Sequence, residues 1–432
     1  MNDDFDSKDF FTDPSFIPDP HPYFDHLRSQ CPVRFTAPRG VVAVTGYDEC
    51  LAVLRDTSTY SNINAATGPF PGMPFEPEGD DISEQIERHR PEIPLNEHLV
   101  TMDPPQHTRV RRLLAGLFTP RRLAENEDFM WRLADRLIDT FHESGKVELL
   151  HEYAQPFALL TIADLLGVPE EDHAAFIAHL STQTPGAMAE DGVLGTNPLE
   201  FLDSKFSAYI EDRRRTPRMD VLSMLAESTY ADGDTPDVVD LVRLATFLFG
   251  AGQDTTARLI TAAFRLLADR PDLQKQLRED RSLIPQFVDE ALRLEGPVKS
   301  DFRLAKKKTS LAGVDIPAGT PVMVSLPAGN RDPRRFADPH EFRLDRENSR
   351  DHIAFGRGVH SCPGGPLARV EARVSVERLL DRLGDIRISE DKHGPVGDRH
   401  FDYEPTYILR GLTEIHLEFT PVAMPEGSAH VR

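Results

Sequence analysis

Apolar side chains recur at helical spacing over most of the chain. The pattern is helical from residue 124 to residue 230, with two short breaks. The longest segment of this kind runs from Pro236 to about Asp269. Another starts at Pro366, a residue that suits the first turn of a helix. This distribution predicts a fold made mainly of α-helices.

Shorter stretches alternate between apolar and polar side chains and predict a small β region. Residues 41–46 predict a strand, and residues 47–55 predict a short helix after it. The segment that follows Pro297 is predicted to be extended, because proline disfavours helix. Residues 313–333 alternate around two proline turns, and residues 407–419 predict a further pair of strands.

Two polar connections are predicted to act as lids. Residues 61–98 are rich in Gly, Pro and acidic residues, and a structureless loop of that length is unusual in a compact domain unless it covers a binding site. A disordered insertion is the alternative. Residues 181–198 form a second polar connection, a candidate partner for the first.

Composition and charge narrow the class of protein. No linker, repeat or low-complexity run divides the 432 residues, so we expect one domain over 1–432, with flexible ends at 1–14 and 421–432. A hydrophobic content of 39% with 28% charged residues is typical of a folded globular protein. The 49 basic and 71 acidic residues give a net charge of −22, which argues against binding to nucleic acid or to an anionic membrane.

Nothing in the sequence indicates export or membrane insertion. The first residues lack the basic and apolar regions of a signal peptide, and no run of 18 apolar residues occurs. The three cysteines, Cys31, Cys50 and Cys362, do not make a disulfide framework, which fits a reducing compartment. We therefore expect a cytoplasmic monomer that contacts neither membrane nor nucleic acid.

The stretch from Phe355 to Arg369 reads FGRGVHSCPGGPLAR and carries the first candidate chemistry. Two glycines precede Cys362 and two follow it, so the loop can bend sharply and a flat ligand can approach its backbone. The cysteine lies just before a helix N-terminus, where unpaired N–H groups favour a thiolate. A lone thiolate with one open face suits an axial ligand of haem iron. The alternative is a scattered cysteine in an ordinary turn.

A cation pair occurs earlier, in MDPPQHTRVRRLL. His107 and Arg111 are four residues apart and share one face of a helix, which Asp103 is expected to cap and Pro104 to begin. Such a pair attracts a dianion. A solvated basic face is the alternative.

The long helix contains FGAGQDTT at 249–256. Gly250, Gly252 and the two threonines disfavour a regular helix, so a local opening with a groove is expected there. Asp254 and Thr255 supply an acid and a hydroxyl, the parts of a proton relay. An ordinary helix is the alternative.

Together these motifs resemble the cytochrome P-450 family. Every fixed position of F-G-x-G-x-H-x-C-x-G-x-x-L-A-R is matched from Phe355 to Arg369, and A-G-x-D-T-T, D-P-P-x-H-T-R-x-R and E-x-x-R occur as well. The resemblance covers nearly the whole chain. It implies a single large domain, mainly α with a small β region, around a buried haem b, as in soluble bacterial members.

The resemblance also implies roles for individual residues. Cys362 would ligate the haem iron, and Asp254 with Thr255 would deliver protons during oxygen activation. The other implied haem contacts are His107, Arg111, Arg303, Phe355 and His360.

The E-x-x-R pair, Glu290 and Arg293, is implied to stabilise the core behind the haem loop. By spacing alone it is only an i, i+3 salt bridge, which contributes about 0–1 kcal/mol when exposed. The arginine that often joins this pair in the family is replaced here by Glu341. Arg343 and Arg346 are the candidate substitutes.

The implied activity is insertion of one oxygen atom from O₂ into an organic substrate. Electrons would come from NAD(P)H through a separate ferredoxin and its reductase, since no flavin or iron–sulfur motif is present. Arg109, Arg112 and Arg357 are expected to receive the ferredoxin on the Cys362 side. The alternatives are a peroxide-driven peroxygenase, a non-catalytic haem-binding sensor and a haem-free structural protein.

The substrate is expected to be compact and largely apolar, without an anion. The expected pocket residues are Phe247, Gly250, Ala251, Val298, Ser300 and Ile408. Phe247 is expected to set the depth of the pocket. Strand alternation puts Lys299 on the side opposite Val298 and Ser300.

Overall fold

The computed structural model describes residues 5–36, 39–180 and 199–423. Within these residues the chain is mainly helical, as expected. The α-helices are α1 (His21–Gln30), α2 (Tyr47–Arg55), α3 (Ser83–His89), α4 (Gln106–Arg111), α5 (Pro120–Asp139), α6 (Gln155–Leu166), α7 (His173–Leu180), α8 (Glu200–Arg215), α9 (Val221–Ala226), α10 (Val238–Ala268), α11 (Pro271–Glu279), α12 (Ile284–Glu295), α13 (Leu326–Gly329), α14 (Gly365–Arg382) and α15 (Glu390–His393).

The strands form small sheets at the edge of the helical body. They are β1 (Val33–Thr36), β2 (Val41–Val44), β3 (Tyr60–Ser61), β4 (Lys146–Glu148), β5 (Asp301–Ala305), β6 (Thr309–Leu311), β7 (Val314–Ile316), β8 (Pro321–Val324), β9 (Leu383–Ile388) and β10 (His416–Pro421). One sheet has the order β1-β2-β8-β5-β3, a second β4-β10-β9, and a third pairs β6 with β7. Strands β2 and β8 are parallel, and the other pairs are antiparallel. The expected fold class, mainly α with a small β region, is confirmed.

Helix α10 is the central element of the helical core. It is 31 residues long and packs against α6, α8, α12 and α14. Asp237 precedes it without forming a side-chain cap, so burial of its apolar residues, rather than capping, stabilises it. The expected helix from Pro236 to about Asp269 is therefore confirmed.

Glycine decides where α6 ends. Gly167 has φ +92°, and a Cβ at this position would come within 2.4 Å of the Asp220 Cβ. Only glycine combines that backbone conformation with so close a neighbour. The predicted end of the buried helix at Gly167 is confirmed.

Three local expectations are wrong. Residues 61–98 are not structureless, because they include α3, and Ile82, Ile86 and Ile93 pack there in an apolar cluster. Asp103 does not cap α4, since its carboxylate accepts hydrogen bonds from Ser61 and Asn62 instead.

The third concerns residues 407–419, which do not form a strand pair. Only β10 is a strand there, and the preceding residues form isolated bridges, Val298 with Leu409 and Tyr403 with Leu412. The alternation of apolar and polar residues over 407–419 is the pattern that predicts a strand pair. The partners instead come from elsewhere in the chain, since β10 pairs with β4 and β9.

The N-terminal segment packs onto the body of the protein. Phe10 and Phe11 are each 3% exposed and join an aromatic cluster with Tyr23 and Phe24. This part of the expected flexible end is therefore packed. The second expected lid, 181–198, lies outside the described residues. Within the described part of the chain, no helix has the length and apolar character needed to cross a membrane.

Candidate active site

The cysteine loop folds tightly in front of α14. The Cys362 backbone N–H donates to the Phe355 carbonyl at 2.8 Å and closes the loop. Gly358 has φ +78°, and a Cβ there would approach the Leu54 carbonyl oxygen to 2.6 Å. The hydrogen bond from Cys362 and the close approach at Gly358 are thus both backbone contacts of the motif, and both hold the thiol just before the helix.

The thiol environment differs from the expectation. Cys362 keeps an accessible face, but the surrounding protein desolvates it, and this burial raises the pKa of the thiol. The backbone N–H groups of Gly364 and Gly365 and the charge of Arg111 act in the opposite direction. The N–H groups at the helix end therefore favour the thiolate, as expected, but in the chain alone desolvation outweighs them and the pKa is raised on balance.

Arg111, on α4, links that helix to the cysteine loop. Its guanidinium donates to the Ser361 carbonyl at 2.7 Å. The His107 ring, on the same helix, lies against the His360 ring of the cysteine loop, with the ring centroids 3.8 Å apart and the planes tilted. The structure therefore brings together two segments that are far apart in the sequence.

His107 is buried and His360 is half-buried, and three of their four ring nitrogens are buried without hydrogen-bond partners. Both ring nitrogens of His107 and the Nε2 of His360 are unsatisfied among the described residues. Burial lowers the pKa of His107 to about 4 and that of His360 to about 2, so both rings are neutral at neutral pH. Buried polar atoms in native proteins are normally satisfied, so this site fits a ligand that carries polar groups.

Arg303, on β5, lies near the same cluster. It is 2% exposed, donates to Asp301 at 2.7 Å and to the Phe302 carbonyl at 2.6 Å, and its charge helps to lower the pKa of His360. Two guanidinium groups beside two neutral imidazoles suit the carboxylates of a haem. Phe355 lies across the loop, 3.4 Å from where a Cβ on Gly365 would be.

Helix α10 carries the acid and the hydroxyl without a break. The Thr255 hydroxyl donates to the Ala251 carbonyl at 2.9 Å, and the Asp254 carboxylate accepts from Arg258 at 2.7 Å. The expected local opening of the helix is wrong, because the whole span is one α-helix. Back-bonding of Thr255 is accommodated within it.

Sequence reasoning missed Glu371, which lies on α14 behind this part of α10. It is 1% exposed, burial raises the pKa of its carboxyl well above the ordinary value, and Thr256 donates to it at 3.2 Å. A signal was present in the sequence, because Glu371 follows Leu367 by one helical turn on a buried face.

A cavity of about 280 Å³ lies beside α10. Phe247, Gly250 and Ala251 line it, together with residues that the sequence did not single out. The latter include His98, Thr246, Gln253, Phe176, Leu199 and Leu202. A Cβ on Gly250 would meet no atom within 4 Å, so the helix leaves open space there.

The other three expected pocket residues form a separate group. The backbone N–H of Ser300 donates to the Ile408 carbonyl at 3.2 Å, and Val298 bridges to Leu409. None of the three is among the described residues that line the cavity. Lys299 is buried between them, and its ammonium donates to the Thr406 carbonyl at 2.7 Å. Burial, followed by the charges of Arg410 and Arg258, lowers the pKa of Lys299 to about 7.

The E-x-x-R pair has a third partner. Glu290 and Arg293 are fully buried, and Glu290 also accepts from the Arg346 guanidinium at 2.9 Å. Arg343 reaches Glu290 only through its backbone N–H, at 3.1 Å, while its side chain pairs with exposed carboxylates. Arg346 is therefore the residue that replaces the missing family arginine.

The expected basic patch is only partly available. Arg109 pairs with Asp232 at 3.1 Å and with Asp234 at 3.0 Å. Arg357 donates to backbone carbonyls of its own loop. Arg112 is exposed and has no ion-pair partner among the described residues. Of the three arginines, Arg112 is the one that is exposed and has neither an ion pair nor a side-chain hydrogen bond among the described residues.

Comparison with known proteins agrees with this geometry. Residues 196–384 match the family model described as Cytochrome P-450. The chain is 33% identical over 410 residues to cytochrome P-450 monooxygenase PikC of Streptomyces venezuelae, with 94% of this chain and 92% of that protein covered. It is 32% identical over 418 residues to vitamin D(3) 25-hydroxylase of Pseudonocardia autotrophica, with 96% of each covered.

A solved structure shows the same architecture. The substrate-free form of Mycobacterium marinum cytochrome P-450 CYP150A6 matches with a TM-score of 0.91 and 62% identity, and the match covers 97% of this chain and 100% of that chain. The identity over nearly the full length, the helical fold and the cysteine loop agree with one another. The chain belongs to the cytochrome P-450 family and is a haem-dependent monooxygenase.

Proposed function

We propose that this enzyme inserts one atom of O₂ into a compact, largely apolar substrate held in the cavity beside α10. The observation that carries the proposal is the set of partnerless imidazoles, His107 and His360, beside the Cys362 loop. Such a set is costly unless a ligand with polar groups completes it. The cavity and the Asp254–Thr255 pair add a substrate site and a source of protons.

The cofactor in this proposal is haem b, and the Cys362 thiolate would hold its iron. When bound, the haem supplies the iron centre at which O₂ is activated. His107 and His360 would donate ring N–H groups to its carboxylates, and Arg111 and Arg303 would neutralise their charge. Phe355 packs against the loop that presents the thiolate.

Proton delivery is assigned to two side chains of α10. The Thr255 hydroxyl donates to the carbonyl of Ala251, which lines the cavity, and would release this hydrogen bond to deliver its proton. The Asp254 carboxylate, held by Arg258, would take up a proton from solvent and pass it on to Thr255. A positioned acid of this kind typically contributes about 10²–10⁴-fold to the rate.

Electrons are proposed to come from NAD(P)H through a ferredoxin and its reductase. The exposed charge of Arg112 supports docking of an acidic partner on the Cys362 side. Arg112→Glu should slow reduction by the ferredoxin, and the wild-type rate should fall as salt rises. An unchanged rate with unchanged salt dependence would remove Arg112 from the interface.

The cofactor is tested on the purified full-length chain. The reduced carbon-monoxide complex should show the strongly red-shifted Soret band of thiolate ligation. Cys362→Ser should lose that band, whereas the matched control Cys31→Ser should keep it. A wild-type spectrum like that of a histidine-ligated globin, or a chain without haem, would contradict the proposal.

Turnover assays distinguish the monooxygenase from the two alternatives, a peroxygenase and a sensor. With ferredoxin, reductase and NAD(P)H, an accepted substrate should gain one oxygen atom from ¹⁸O-labelled O₂. Product formed only with added peroxide would identify a peroxygenase. Gas binding without any turnover would identify a sensor.

We also propose that the protein is a cytoplasmic monomer. Cys31 and Cys50 are free thiols, which suits a reducing compartment. Sedimentation analysis of the haem-loaded protein should give the mass of one chain, and cell fractionation should recover it in the cytoplasm. A mass equal to two chains would contradict the proposal of a monomer.

A further inference from the structure

One face of α10 presents two polar side chains to the cavity, and a glycine lies between them. Thr246, Gly250 and Gln253 are spaced i, i+4 and i+7, so they form a single stripe. Thr246 and Gln253 are thus about 10 Å apart along the helix axis. Gly250 leaves open space between them.

The polar atoms at both ends of the stripe are unsatisfied. The Thr246 hydroxyl, the Gln253 carbonyl oxygen and the Nδ1 of His98 are buried without hydrogen-bond partners among the described residues. His98 lies at the Thr246 end, since its ring is 5.9 Å from that of Phe247. Buried groups of this kind usually receive a hydrogen bond, and here the cavity is the space that can supply one.

His98 presents an acceptor. Burial lowers the pKa of its imidazole, so the ring is neutral at neutral pH. The ring also forms a hydrogen bond with the backbone of Arg243, of the kind that stabilises its N–H, while Nδ1 has no partner. The unpartnered Nδ1 is therefore a bare acceptor, as is the Gln253 carbonyl oxygen.

Among the residues that the structure describes, none offers the cavity a counter-charge. No Asp, Glu, Lys or Arg is among the described residues that line it. A carboxylate bound there would lose its hydration without an opposite charge in return. The rest of the lining is mainly aromatic and aliphatic, including Phe176, Leu199 and Leu202.

We propose that the cavity selects a neutral, largely apolar molecule that is compact in volume but long enough to carry a hydroxyl group near each end. One hydroxyl donates to the His98 and Thr246 end, and the other donates to Gln253. This inference rests on the proposed function, because it defines the substrate class of the same site. The cavity volume of about 280 Å³ limits the molecule to a small ring system.

The test uses rigid probes and the haem-loaded full-length protein. 4,4′-Biphenol carries two hydroxyls at about the spacing of the stripe, and 4-hydroxybiphenyl and biphenyl carry one and none. Titration calorimetry should show that affinity rises about fivefold to tenfold with each hydroxyl, the usual effect of one hydrogen bond. Biphenyl-4-carboxylate should bind more weakly than 4-hydroxybiphenyl.

Variants assign each hydroxyl to one end of the cavity. Gln253→Leu should abolish the gain from the second hydroxyl and leave biphenyl binding within about twofold. Thr246→Val should reduce the gain at the other end. The matched control is Thr261→Val on the same helix, whose hydroxyl already donates to the Ala257 and Arg258 carbonyls.

Equal affinity for biphenol and biphenyl would overturn the inference. So would tighter binding of the carboxylate, equal weakening of all probes by Gln253→Leu, or no binding of any probe. The wild-type ligand series gives an answer even if a variant does not fold. Failure of the proposed function appears separately, as a missing thiolate spectrum or missing turnover, whereas this inference is decided by the ranking of affinities.

Discussion

Arg346 completes a buried charge network that joins α12 to the segment before the cysteine loop. Glu290 is fully buried and accepts two hydrogen bonds from Arg293, each of 2.8 Å, and one from Arg346 of 2.9 Å. Arg346 also donates to the carbonyls of Ala337, Asp338 and Glu341. Its removal therefore affects one carboxylate and a stretch of backbone at the same time.

Arg346→Met keeps the length of the side chain and removes its charge and donors. Breaking a buried charge pair by removing one partner costs about 3–5 kcal/mol, and Glu290 retains Arg293, so we expect a loss of about 3 kcal/mol. For a chain of 432 residues the entropy of unfolding is about 0.9 kcal/mol/K, which converts this loss to about 3 °C in Tm.

Arg343→Met is the matched control. The Arg343 side chain pairs only with Asp338 and Asp345, which are 59% and 77% exposed, and exposed pairs contribute about 0–1 kcal/mol. Its hydrogen bond to Glu290 comes from the backbone and survives the substitution. Urea and thermal unfolding, followed by far-ultraviolet circular dichroism, should separate the two variants. If both lose the same stability, the assignment of Arg346 as the third partner is refuted.

The remaining predictions concern the active site and the response to acid. Gly250→Ala should raise the free energy of unfolding by about 0.5–1 kcal/mol, because the position is inside a helix with open space for the methyl group. The same methyl group should reduce the cavity and weaken biphenyl binding. Thermal unfolding measures the first effect and calorimetry the second. Thr255→Ala should keep substrate affinity but divert NAD(P)H into hydrogen peroxide, and full product per NAD(P)H consumed would contradict the relay. Burial raises the pKa of Asp289, but hydrogen bonds from His352 and Arg369 outweigh it and lower that pKa to about 2 from 3.8. Asp289 therefore stabilises the protein above about pH 4 and loses this effect as the pH falls through about 2. Asp289→Asn should cost about 2 kcal/mol at pH 7 and less than about 0.5 kcal/mol at pH 2 in urea unfolding.

Much of the fold follows from short-range patterns. The helix Tyr47–Arg55 and the end of α6 at Gly167 were predicted because the period of apolar residues and a left-handed glycine depend on neighbours in the chain. The cysteine loop was recognisable for the same reason, since its glycines and the following helix are contiguous.

Local patterns failed where a distant partner competed. Asp103 occupies a position where a helix N-cap is expected, but its carboxylate accepts hydrogen bonds from Ser61 and Asn62 instead. The segment 61–98 was predicted to be a structureless loop, but its isoleucines pack against Leu304. In both cases the tertiary contact stabilises the observed conformation more than the local preference stabilises the alternative.

The sequence by itself determined the class of chemistry, because one cysteine among glycines before a helix is a local arrangement. The tertiary structure alone decided what surrounds that chemistry. It selected Arg346 rather than Arg343 for Glu290, 56 residues away, and it placed His98 at one end of a stripe on α10. It also raised the pKa of Cys362, since desolvation sums over every element packed around the thiol, and no pattern along the chain encodes that sum.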